Sequence, residues 1–134
     1  MSDQGFDEND NSNWLLQCEK IATGVRKRAL SHTVTHGGYL SQACSSAEIF
    51  GYLYGHGMTL GPAAGPSVPV SFTAAPSKDE SDPILGMLYN GVKNPSHDRF
   101  FLSPTHYAMA LYATLIECGR LGEKGLDKFN CDDD

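Results

Sequence analysis

The chain has 134 residues, 40% of them hydrophobic, which is enough for one domain with a real core. Its formal net charge of −6 argues against nucleic acid and anionic membrane surfaces as partners. No stretch approaches the roughly 20 apolar residues of a membrane span, and the acidic, polar start carries no secretory signal, so a cytoplasmic location is the simplest expectation.

The acidity gathers at the ends. Residues 1–12 and 131–134 read as solvated, disordered acidic tails around a body at 13–130. The first predicted helix covers 13–30, where Trp14, Leu15, Cys18, Ile21, Ala22 and Val25 repeat at three- and four-residue steps. Asn11, Ser12 or Asn13 is placed to cap it. The run "SHTVTHGGYLSQACS" that follows reads as a loop, because two adjacent glycines, Gly37 and Gly38, rarely sit inside an element. A second helix is predicted over 45–55, with Ser45 or Ser46 as cap and Glu48 close to a capping-box position. Pro62, Pro66, Pro69 and Pro76 exclude helix from the connection at 59–83. The segment "ILGMLYNGV" after it suits a short helix or a strand equally.

Residues 94–115 read "NPSHDRFFLSPTHYAMALYATL". A turn at Asn94–Ser96 leads to a short apolar run, 99–103, predicted as a strand. Pro104 and Thr105 break it. A helix is predicted over 105–119 from Ala108, Leu111, Tyr112, Leu115 and Ile116, ended by Gly119, and a last short helix over 123–129. His106 thus stands at a strand-to-helix junction. A helix start offers free N–H groups and partial positive charge, which suit an anion such as phosphate. On spacing alone, His106 reads either as a capping or packing residue or as a donor to such an anion. Cys18, Cys44, Cys118 and Cys131 show no Cys-x-x-Cys pair and read as ordinary reduced cysteines, without the spacing of a zinc site or the context of a disulfide framework.

Taken together, these segments resemble the N-terminal, thiamine diphosphate-binding part of transketolases. The family run Asp-Arg-Phe-(apolar)-Leu-Ser-x-x-His stands here as Asp98-Arg99-Phe100-Phe101-Leu102-Ser103-Pro104-Thr105-His106, with Leu111-Tyr112 following. The resemblance covers roughly residues 14–130, interrupted by the Pro-rich loop. It implies an α/β fold class, here the N-terminal part of a thiamine diphosphate-binding fold, mostly helical with one short strand at the edge of a parallel sheet. It also implies that His106 contacts the cofactor's diphosphate.

The Gly-rich loop departs from the family's Ser-Gly-His. Counting back from Ala47-Glu48-Ile49 puts Tyr39 where the family His stands, with His36 three residues earlier. Tyr39 and His36 are therefore the candidate catalytic residues, and Gly-Tyr in this loop is closest to split, two-subunit transketolase-like proteins. The family's Gly-Asp-Gly…Asn motif, which holds Mg2+ or Ca2+ on the diphosphate, does not occur in these residues, so no metal ligand is assigned and the chain alone is expected to be inactive and to bind no cofactor. The implied function is part of an enzyme that transfers a two-carbon ketol group between sugar phosphates. The implied partners are a second copy or a second subunit that completes the site. Two alternatives stand beside it: a non-catalytic remnant or interaction module, and part of another thiamine diphosphate enzyme.

Overall fold

The computed structural model describes residues 8–63, 94–127 and 129–130, the side chains of 8–12 excepted. These residues form three α-helices: α1 (Glu8–His36), α2 (Leu40–Tyr52) and α3 (Ala108–Glu117). A π-helical turn, Leu53–Gly57, continues α2. A 3-10 turn, Thr105–Tyr107, leads into α3, and another, Glu123–Leu126, follows it.

The three helices pack against one another around a core that includes Ile21, Ala22, Val25 and Ala29 of α1, Ala43, Ala47 and Phe50 of α2, and Met109, Ala110, Ala113 and Ile116 of α3. Small residues set the α1–α2 distance. Ala43, Ala47 and Gly51 follow one another at four-residue steps, one face of a helix. A Cβ on Gly51 would come within 2.9 Å of the Cys18 carbonyl oxygen. Arg26 ties the same two helices from outside, donating from Nη2 to the Cys44 carbonyl at 3.1 Å and pairing with Glu48. That hydrogen bond holds the Glu48 carboxyl below its ordinary pKa. Trp14 closes the far end, stacked on His56 at 4.4 Å and edge-on to Tyr52 at 6.0 Å.

α1 is longer than the periodicity at 13–30 predicts and passes through 31–36, where a loop was expected. Ser, His, Thr and Val are weak helix formers, but the burial of Ala29 and His32 outweighs that local preference. The helix stops only at Gly37 and Gly38, whose φ angles are +72° and +123°. The helix expected at 45–55 likewise begins earlier, at Leu40. Ser45 and Ser46 are therefore interior residues, and both hydroxyls donate back to the Gln42 carbonyl, at 3.2 and 2.7 Å, instead of capping.

The expected strand at 99–103 is a second correction. The run has no regular secondary structure and pairs with no strand, and no β-strand is present among the described residues. A strand is defined by a neighbour's ladder of hydrogen bonds. Here Phe100 packs instead edge-on against Phe50, at 5.5 Å, and Tyr54, at 6.0 Å. The described part is thus mostly helical, and the parallel sheet of the expected α/β class is not seen in it.

α3 ends as predicted at Gly119, φ +67°. Gly119 N–H donates to the Ile116 carbonyl at 2.9 Å and Arg120 N–H to the Leu115 carbonyl at 2.8 Å, the paired bonds of a Schellman motif. The segment expected as a helix at 123–129 is a 3-10 turn over Glu123–Leu126. Residues 64–93, which hold most of the Pro-rich connection and "ILGMLYNGV", lie outside the described residues, as do the chain ends 1–7 and 131–134. The two sides of that connection meet: Thr59 N–H donates to Asp98 Oδ2 at 2.8 Å, and Asp98 N–H returns a bond to the Thr59 carbonyl at 2.8 Å.

Candidate functional site

Tyr39 and His106 lie 67 positions apart in sequence and meet in space. Their ring centroids are 4.5 Å apart and their planes 79° apart, an edge-to-face contact. Three local structures bring this about. Gly37 closes the end of α1, with its N–H on the Thr33 carbonyl at 2.9 Å. Gly38, at φ +123°, reverses the chain so that Tyr39 becomes the residue before α2. On the other side, Pro104 precedes the 3-10 turn that carries His106 to the start of α3.

Met109 joins the two halves. It is 1% exposed, its thioether accepts a weak bond from Thr33 Oγ1 at 3.9 Å, and a Cβ on Gly38 would lie 3.7 Å from its Sδ and Cε. The turn after α1 therefore rests on the first turn of α3, and Tyr39 follows it to His106. Sequence reading missed Met109 in this role. A Met two positions after a Tyr on a helix start carries no signal of what it will touch.

Both rings face solvent; Tyr39 is 54% exposed. They stand where two helices begin. Neither α2 nor α3 has a side-chain cap at its N-terminus or an acidic residue in its first turn. The partial positive charge of two helix starts thus flanks the pair, with no carboxylate in either first turn to offset it.

His36 is placed differently. Its ring lies 4.8 Å from that of His32, and its carbonyl accepts a bond from Asn130 Nδ2 at 2.7 Å. The turn at Gly37 and Gly38 separates it in the chain from Tyr39. Two shallow grooves run along α1, one past Leu16, Thr23, Lys27 and Glu117, the other past Arg28, His32, His36 and Asp127. Neither is lined by Tyr39 or His106. The Tyr39–His106 pair forms an open rim of the described residues.

A diphosphate fits the donor set at this rim: an exposed imidazole, a phenol and two uncompensated helix starts. No group of three His, Cys, Asp or Glu side chains able to hold the metal of such a diphosphate stands at this rim among the described residues.

No protein-family profile matches the chain, and no solved structure matches it. Over 113 residues, 84% of this chain, it is 31% identical to a protein of Sinorhizobium fredii (strain NBRC 101917 / NGR234) named as an uncharacterized transketolase family protein. The chain spans 31% of the length of that curated relative. The similarity supports a relationship to the transketolase family and nothing finer about activity, cofactor or partner.

Proposed function

We propose that this chain supplies the diphosphate-facing part of a thiamine diphosphate-dependent, transketolase-like enzyme that transfers a two-carbon ketol group between sugar phosphates. The observation that carries the reading is the meeting of Tyr39 and His106 at 4.5 Å between two uncapped helix starts. The family resemblance singles out both residues, and nothing local in the sequence requires them to touch.

When bound, thiamine diphosphate supplies the carbon nucleophile that carries the two-carbon unit. His106 donates a ring N–H to the diphosphate. The Tyr39 ring packs on His106 and limits its rotamers, and the Tyr39 hydroxyl faces the donor substrate as a hydrogen-bond donor. A phenol hydroxyl can donate one hydrogen bond and accept others, so Tyr39 acts by positioning the substrate. His36 joins that role only if the backbone at 37–39 rearranges. The metal ligands would come from residues outside this sequence, such as a second subunit that carries the Gly-Asp-Gly…Asn motif.

The test is calorimetry with thiamine diphosphate and Mg2+ on this chain together with a chain carrying the Gly-Asp-Gly…Asn motif. His106→Ala should weaken binding roughly ten- to a hundred-fold, the worth of one charge-assisted hydrogen bond of about 1.5–3 kcal/mol. Unchanged affinity would make His106 a structural residue. Tyr39→Phe should leave affinity nearly intact and lower turnover; equal turnover would reduce Tyr39 to packing.

A further inference from the structure

We propose that the groove at the C-terminal end of α1 binds a borderline divalent transition cation, Zn2+ or Ni2+, between His32 and His36, with water completing its shell. The inference does not depend on the thiamine-dependent reading.

The two histidines are four residues apart on one helix, the spacing that puts two imidazoles on one face and lets them share a metal. Both line the same groove. Two rings bound to one ion at a metal–nitrogen distance of about 2.0–2.1 Å and a near-tetrahedral angle have centroids about 5 Å apart. The observed separation is 4.8 Å, close to that value.

The tautomer of His32 is already fixed. Its Nε2 lies 2.6 Å from the Phe129 carbonyl oxygen. A carbonyl oxygen can only accept, so Nε2 carries the proton and Nδ1 of the neutral ring keeps the lone pair. Ligating histidines usually donate the other ring N–H to a carbonyl or carboxylate in this way, which orients the ring and raises its basicity. His32 is 9% exposed, and Phe129 packs edge-on against it at 5.9 Å, so the ring's orientation is set before a metal arrives.

Charge favours a cation. Besides the imidazoles, the ionisable groups lining the groove are Arg28, Glu123 and Asp127, one positive and two negative. Arg28 is taken up by Glu123, at 2.7 and 3.1 Å, and by Glu117. His36 also lies in the last turn of α1, where the helix presents its negative end. No three potential ligands already stand together among the described residues, so the protein contributes two nitrogens, and the exposed carboxylate of Asp127 contributes charge at the rim. Imidazoles without thiolates suit Zn2+ or Ni2+ over Mg2+ or Ca2+. A bound ion would clamp the last turn of α1 directly before the glycines that carry Tyr39.

The test is titration of the full chain with ZnCl2 and, separately, NiCl2 in calorimetry, with Cys44 and Cys131 changed to Ser so that thiolates cannot compete. One equivalent should bind in the micromolar range, and His36→Gln, at an exposed position, should weaken binding at least tenfold. In a long-range proton–nitrogen correlation spectrum of the chain without the His36 change, Zn2+ should shift His32 Nδ1 while Nε2 keeps its proton. This second reading does not depend on how any histidine variant folds. Absence of saturable binding up to about 100 μM metal, full affinity in His36→Gln, or an unshifted His32 Nδ1 would each overturn the proposal.

Discussion

A methyl group added at Gly24 would overlap the Glu117 side chain, which crosses α1 there to pair with Arg28. In an ordinary helix interior Gly→Ala gains about 1 kcal/mol. Here the gain is set against displacement of a partly buried ion pair that itself reaches on to Glu123. Burial pulls the Arg28 guanidinium toward neutrality, but Glu123 and Glu117 together outweigh it and raise its pKa. The expected outcome is that Gly24→Ala is neutral or destabilising in the wild-type chain, and stabilises by about 1 kcal/mol once Glu117→Ala has cleared the space. A urea-unfolding cycle of the four variants measures this; equal effects in both backgrounds would mean the two positions do not compete. The glycines after α1 separate in a different way. Gly37, at φ +72°, lies in the left-handed region that Asn tolerates, whereas Gly38, at φ +123°, lies outside it. Gly37→Asn should therefore cost well under ~1 kcal/mol and Gly38→Asn about 1–3 kcal/mol, read from the same unfolding midpoints. Space does not decide Gly38, since a Cβ there would meet Met109 only at ordinary contact distance, 3.7 Å.

At the scale of the element, the end of α3 carries a titration that couples to folding. Burial pushes the Cys118 thiol up to about 11 from an ordinary 9.0, and Cys18 is raised as well, again by burial. A folded-state pKa above the unfolded one means that the folded chain binds more protons between the two values. The associated stability is complete below pH 9 and falls as pH rises through about 11. The wild type should lose melting temperature faster than Cys118→Ala between pH 9 and pH 11; parallel curves would place the thiol in water. The elements also show what the sequence could and could not disclose. The break at Gly37 and Gly38, the stop at Gly119 and the start of α3 near His106 were all legible, because glycine and proline act through the local backbone. The extension of α1 through His36 was not, since it depends on His32 finding Phe129, 97 positions away. Neither was the unpaired state of 99–103: a short apolar run suits a strand, but whether a neighbouring strand pairs with it is not a local property. The same distinction holds at the candidate site. His106 and Tyr39 could be singled out one by one, but Met109, which brings them together, could not.

At the scale of the whole molecule, the described residues leave much apolar surface uncovered. Val34 is 79% exposed and Phe101 88%. Leu16, Leu30 and Val34 fall within about 40° of one another around α1, on the side opposite Val25 and Ala29. Large apolar side chains left exposed in this number favour association, so the chain should sediment as oligomers at tens of micromolar; a monodisperse monomer would count against that. Incomplete burial also bears on the ligand. The rim at Tyr39 and His106 offers a diphosphate two helix starts, each worth about 0.3–1 kcal/mol, and one charged hydrogen bond of about 1.5–3 kcal/mol. Together these reach roughly 2–5 kcal/mol, whereas micromolar affinity needs about 8. The shortfall would have to come from a metal held with the diphosphate, and the described residues hold no group of three His, Cys, Asp or Glu side chains for one. Ordering a flexible cofactor lowers the net further. The chain alone should therefore bind thiamine diphosphate with Mg2+ no more tightly than the millimolar range, and His106→Ala should change little until a completing chain is added. Saturable, Mg2+-dependent binding by the isolated chain below about 10 μM would mean that contacts outside the Tyr39–His106 rim dominate.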